Sequence, residues 1–376
     1  MKLMHLSDLH LGKRLNEFSL LEDQDFILRQ ILNIAREQQP DALLIAGDVY
    51  DKAVPSAEAV RLFDDFLYQL AERKLPVFII SGNHDCPERI AFGSRLLDAS
   101  GIHLSPVYSG QVEPITLTDE FGPVHFWLLP FLKPIHVRRF YPEEPTDTYS
   151  QALSTALSHL KLNTADRNVL VTHQFVTGSA RSDSEELSVG GADHVDAGVF
   201  EAFDYVALGH LHRPQSCGSE KLRYCGTPLK YSFSEARDEK SVTIAELREK
   251  GSLTLHTVPL KPLRELVELR GSFEELTDKA FFQGTTWCSD YTHLTLTDEE
   301  DIPDALGKLR LIYQNLMKLD YDNSRTRSNS EIAPEAEARS KSPLELFSDF
   351  YELQNNRPMT EEQLVFLEEL LARMEE

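Results

Sequence analysis

The stretch VFIISGNHDCPER, Val77 to Arg89, places four β-branched or aromatic residues one serine away from Gly82, Asn83, His84 and Asp85. So short an apolar run, bounded by glycine, reads as a buried strand ending in a turn. Open α/β sheets carry their chemistry on the loops at C-terminal strand ends, which makes the polar residues that follow candidates for a site. Asn and Asp also favour turns through local hydrogen bonds, so GNHD alone is equally consistent with a plain loop.

The rest of the chain separates these readings. Four apolar runs, in KLMHLSDLH, PDALLIAGDVYD, NVLVTHQ and YVALGHLH, stop on Asp8 and His10, on Asp48 and Asp51, on His173, and on His210 and His212. VHFWLLP, SVTIAEL and LTLHTVPL read as further strands, while FILRQILNIAREQQ and AVRLFDDFLYQLAERK carry apolar residues at helical spacing. This alternation predicts an α/β domain over residues 1–262. Within it, Thr177 to Gly198 is rich in Ser, Asp and Gly and reads as a long loop.

The texture changes after LKPLREL. Residues 263–320 are expected to form a small α+β capping domain. The low-hydrophobicity segment 321–342 reads as a flexible linker. Residues 343–376 form a predicted helical hairpin whose second helix opens on Thr360 with Gln363 three residues on, a capping-box pattern. A hairpin of this kind has little core of its own, and its Leu and Phe face calls for a partner.

Composition bounds the remaining possibilities. With 376 residues and 41% hydrophobic content the chain can bury a full-sized core. No apolar run approaches the roughly 20 residues of a membrane helix, and a cytoplasmic, nucleoid-associated location is expected. Cys86, Cys217, Cys225 and Cys288 show neither zinc-like pairing nor a disulfide framework and read as reduced thiols. The 38 Lys and Arg against 61 Asp and Glu give a net charge of −23, which repels nucleic acid at long range. Any DNA-binding reading needs local positive charge, bound cations or a basic partner.

Each motif alone has a plain structural explanation. Their joint order, D-x-H, GDxxD, GNHD, H and GHxH, points instead to one site. Carboxylate, imidazole and carboxamide donors without thiolate suit manganese or iron and disfavour structural zinc. Two metals about 3.5–4 Å apart need a ligand with two oxygens, a role for which Asp48 is suited. His84 neighbours a ligand and can donate to a leaving oxygen, and Asp51 is expected to hold its tautomer.

These motifs resemble the calcineurin-like metallophosphoesterases, whose fold is a β-sandwich flanked by helices. GDVYDKAVP and GNHD depart from the GDxVDRG and GNHE of protein phosphatases. The start MKLMHLSDLHLGKRL, with DYVALGHLHRPQ and YCGTPLKYSFSE, is most similar to the SbcD family of DNA double-strand-break repair nucleases. The resemblance implies Asp8, His10 and His212 on one metal, Asn83, His173 and His210 on the other, and Asp48 bridging. His84 and Asp51 are then catalytic. It further implies two Mn2+ ions, 3′–5′ exonuclease action on double-stranded ends, and endonuclease action on single strands and hairpins. The implied partners are DNA, an SbcC-type ABC ATPase with a coiled coil, and a second copy of the chain, giving a heterotetramer in repair, recombination and replication. A small-molecule phosphodiesterase would share every ligand but would not need the hairpin. A non-enzymatic scaffold is disfavoured because no ligand position is substituted.

Overall fold

The computed structural model describes residues 1–179, 183, 185, 194–324, 326, 343–355 and 358–374. Most of the expected 177–198 loop and of the 321–342 linker lies outside them. The chain divides into two compact units, Met1–Leu263 and Arg264–Glu376.

The first unit is a sandwich of two six-stranded sheets. One sheet runs in the order Leu253–Pro259, Ser241–Leu247, Lys2–Leu6, Ala42–Ala46, Val77–Ile80, Ile102–Leu104. Its last four strands are parallel, with Leu3 opposite Ala42 and Leu43 opposite Val77. The other sheet runs Gln215–Cys217, Ser219–Tyr224, Tyr205–Gly209, Arg167–His173, Gly122–Leu129, Ile115–Asp119. Between the sheets lies a core of Leu3, Leu44, Ala46, Phe78, Ile80, Phe126, Leu128, Val169, Val171 and Ala207. There the Phe78 and Phe126 rings stack at 4.3 Å and 10°.

Residues of the first sheet that point away from this core, such as Met4, Leu6, Leu43 and Ile45, are equally buried. That sheet is therefore covered on both faces, as parallel sheets are. Helices Leu21–Gln38 and Ala57–Glu72 supply buried stripes through Ile27, Leu28, Ile31 and Leu32 and through Phe63, Phe66 and Leu70. Ser56 caps the second helix by accepting from the Ala59 amide.

The second unit holds a three-stranded parallel sheet, Leu266–Gly271, Tyr291–Leu296 and Asn315–Tyr321, around a core that includes Leu269, Leu276, Leu294, Leu309 and Tyr313. Helices Pro343–Asn355 and Glu361–Met374 follow. The Thr360 hydroxyl accepts from the Gln363 amide while Gln363 accepts from the Thr360 amide, completing the capping box. Gln363 also donates to the Tyr351 hydroxyl, tying the two helices together. Phe347, Phe350 and Phe366 remain exposed.

Candidate metal centre

The strands Lys2–Leu6, Ala42–Ala46, Val77–Ile80, Arg167–His173 and Tyr205–Gly209 bring their C-terminal ends together. The first two loops are zipped by backbone bonds from Asp8 N to Gly47 O and from His10 N to Asp48 O. Asp8 (φ 52°), His10 (φ 44°), Asp48 (φ 48°) and His210 (φ 103°) all lie in the left-handed region. Side-chain-bearing residues adopt it only where the surroundings compel it, and such strain clusters at functional sites.

Three donor groups lie close enough to share a cation: Asp8, His10 and His212; His10, Asp48 and His84; and Asp8, Asp48 and His173. Asn83 joins the cluster by hydrogen bonds, its Oδ1 lying 2.9 Å from His173 Nε2 and 3.0 Å from His210 Nδ1. His173 Nδ1 donates to the Ala46 carbonyl at 2.9 Å, which turns Nε2 toward Asn83 and toward Asp48 Oδ2 at 3.4 Å. All seven expected ligands are thus brought together.

Glycine is required here by close approach. A Cβ on Gly82 would fall 2.1 Å from Asp48 Oδ1, and one on Gly209 would fall 1.8 Å from the Ala46 carbonyl oxygen. Gly82 has no positive φ, so in GNHD it makes room for Asp48 and does not serve a special turn.

Electrostatics in the cluster follow from burial and mutual contact. Burial opposes ionisation of Asp48, but His173, His10 and His84 outweigh it and hold the carboxyl far below the carboxylate range. Burial also opposes protonation of His173, yet Asp48 and Asp8 raise its pKa to about 9. Burial raises Asp8 and pushes His10 well below its ordinary value. Both ring nitrogens of His10 are buried without a hydrogen-bond partner, and its nearest carboxylates stand at 3.7 and 3.8 Å. Orphaned imidazole nitrogens among converging carboxylates and a carboxamide oxygen fit a divalent cation, which would take the place of the shared protons.

His84 differs from the buried candidate ligands His10 and His173. Its side chain is 14% exposed, against 0% for His173 and 1% for His10. Its Nδ1 donates at 3.1 Å to the backbone carbonyl of Asp51, leaving Nε2 on the cluster side, 4.0 Å from Asp48 Oδ2. Asp51 therefore holds His84, but through its backbone carbonyl and not through its carboxylate. That carboxylate is taken by Lys13 at 2.8 Å and lies 3.8 Å from His10 Nδ1, and the main chain fixes the tautomer instead.

Asp85 clamps the two loops together. Its carboxylate accepts from the amides of Val49, Tyr50 and Gly82, each at 3.0 Å. Two further residues have no counterpart in the motif reading. Glu235 Oε1 lies 3.6 Å from His212 Nδ1 while its Oε2 pairs with Lys240 at 2.5 Å, and the Tyr231 hydroxyl donates to the Leu9 carbonyl. YSFSEARDEK carries both, but it follows no strand-end pattern and so offers no sequence signal for its place.

Residues 1–214 match the family described as calcineurin-like phosphoesterase, and fold and site together define a phosphoesterase of that class. Residues 262–355 match the type 5 capsule protein repressor C-terminal domain. A curated relative from Staphylococcus epidermidis, the SbcD subunit of the nuclease SbcCD, is 36% identical over 88% of this chain and 89% of its own length. Its namesake from Staphylococcus saprophyticus is 34% identical over 88% and 89%. The chain belongs to this SbcD family of calcineurin-like phosphoesterases. A solved dimetal phosphatase from Danio rerio aligns at 13% identity and TM-score 0.45, covering 70% of this chain and 98% of that one, too distant to inform the site.

Proposed function

We propose that the protein is a manganese-dependent DNA nuclease, a 3′–5′ exonuclease on double-stranded ends and an endonuclease on single strands and hairpins. The observation that carries this is the convergence of Asp8, His10, Asp48, Asn83, His173, His210 and His212 at one end of the two-sheet sandwich, with Asp48 Oδ2 facing both His10 and His173. Asp48 is then the bridge, with Asp8, His10 and His212 on one side and Asn83, His173 and His210 on the other. Bound divalent ions would supply an activated water and neutralise phosphoryl oxygens. His84, its Nδ1–H held by the Asp51 carbonyl and its ring partly exposed, acts in its doubly protonated form, in which Nε2–H hydrogen-bonds a phosphoryl oxygen or gives its proton to the leaving 3′ or 5′ oxygen. The clamp of Asp85 keeps Asp48 and Asn83 at working distance. Glu235 orients His212.

We assign residues 1–262 to the nuclease domain, 263–320 to the capping domain, 321–342 to a linker and 343–376 to the hairpin. The hairpin's exposed Phe347, Phe350 and Phe366 fit the coiled-coil base of an SbcC-type ATPase, the partner named in the relatives' complex. Tyr68, and Phe92 and Leu96 at 83% and 81% exposure, offer apolar surface for a second copy of the chain. Incubating the protein and Mn2+ with labelled duplex, single-stranded DNA and bis-p-nitrophenyl phosphate tests the reading. Hydrolysis of the small ester without DNA cleavage, even with the ATPase added, would defeat it in favour of a small-molecule phosphodiesterase.

A further inference from the structure

The segment PFLKPIHVRRFY, Pro130 to Tyr141, holds Lys133, Arg138 and Arg139 and no acidic residue, in a chain of net charge −23. It builds much of the wall of a cavity of about 660 Å3 within the first unit, inside the roughly 300–1,000 Å3 range of small-ligand pockets. Tyr108, Phe131 and Phe140 are its aromatic walls, and the rings of Tyr108 and Phe140 meet edge-on at 5.7 Å.

The cavity adjoins the metal centre through a shared residue. The Phe131 ring meets the His173 ring edge-on at 6.1 Å, and the Phe131 amide donates to the Ser81 carbonyl at 3.0 Å, two residues before Asn83. Its lining carries Arg138 and Arg139 against the single wall carboxylate of Glu88, with Glu144 close enough behind the wall to act on Tyr108. Arg138 is engaged by Thr146 and by Asp147 at 3.0 Å. Arg139 is exposed and pairs with no carboxylate among the described residues.

We propose that this cavity seats the base and sugar of a nucleotide flanking the scissile phosphate, an inference that rests on the nuclease reading above. Single-stranded nucleic acid is held by aromatic faces that stack bases and by cations that track phosphates. Both elements lie here beside the reacting centre, in a chain whose acidic surface otherwise repels a polyanion. A protein-docking surface would have no reason to share a wall with a ligand histidine.

The test compares kcat/KM of the Mn2+-loaded full chain for thymidine 5′-(p-nitrophenyl phosphate) and for methyl p-nitrophenyl phosphate. The ratio isolates the nucleoside, because the leaving group is common to both. Wild type is expected to favour the nucleoside ester. Phe140→Ala should lower the ratio about tenfold, the size of one lost base–aromatic stack. Ile135→Glu, at a wall position 67% exposed and so tolerant of change, should lower it by adding negative charge, even if Phe140→Ala fails to fold. An unchanged ratio in either folded variant at wild-type metal content would overturn the inference, as would equal use of the two esters by wild type. Variants altered only in assembly with other polypeptides would give the cavity to a protein partner, which also overturns it. Intact DNA in the wild-type reaction, with the ester ratio still falling in the variants, would sink the nuclease reading and keep the cavity as a nucleotide site.

Discussion

Asp85→Ala is predicted to weaken the metal-free protein by an amount that depends on pH. Asp85 is buried, and the amides of Val49, Tyr50 and Gly82 have its carboxylate as acceptor. Leaving unmet the buried N–H groups of Val49 and Gly82 and the part-buried one of Tyr50, at about 1–2 kcal/mol each, costs at most roughly 3–6 kcal/mol. Burial first and the charge of Asp48 second raise the Asp85 pKa from the usual 3.8 to about 6. A raised folded-state pKa means a contribution fully present below pH 3.8 and lost as pH rises through about 6. At 1.36 kcal/mol per pH unit, that window of roughly 2 units is worth about 3 kcal/mol. Urea unfolding in EDTA should therefore show a large loss for the variant at pH 4–5 and a loss smaller by up to about 3 kcal/mol at pH 8. Mn2+ should narrow the difference in part, because cations offset the charge of Asp48 but leave burial, the larger cause, in place. A loss under about 1 kcal/mol, or one independent of pH, would refute the clamp.

The other predictions concern neighbouring groups. Gly82→Ala should reduce bound metal, measured by elemental analysis, because its Cβ would stand 2.1 Å from Asp48 Oδ1; full occupancy would show that the loop yields. His84→Ala should lower cleavage by about 10²–10⁴-fold while retaining the metal, and loss of metal would make His84 a ligand. Glu235→Gln breaks the buried pair with Lys240 and loosens His212, and titration calorimetry should show metal affinity about 10–100-fold weaker. Unaltered affinity would remove Glu235 from the centre. Deleting residues 343–376 should leave metal-dependent hydrolysis in place and abolish co-purification with an SbcC-type ATPase; undiminished association would reassign the hairpin.

Local patterns in the chain were enough to mark the strand ends whose polar residues the structure brings together. Hydrophobic runs that stop on Asp8, Asp48, Asn83, His173 and His210 are readable one at a time, and the parallel strands within each of the two sheets place these ends on one edge of the sandwich. The capping box at Thr360 was legible for the same reason, since it spans three residues. What each atom does was settled by packing. The carbonyl of Asp51 serves His84 while its carboxylate goes to Lys13, a choice set by where two loops cross. The need for glycine at 82 comes from Asp48, 34 residues away in sequence. Glu235 reaches His212 because the chain returns from YSFSEARDEK into the inner strand Ser241–Leu247 of the first sheet. Spacing in sequence carries the period of one element, whereas contacts between loops depend on how whole sheets pack, which no local pattern encodes.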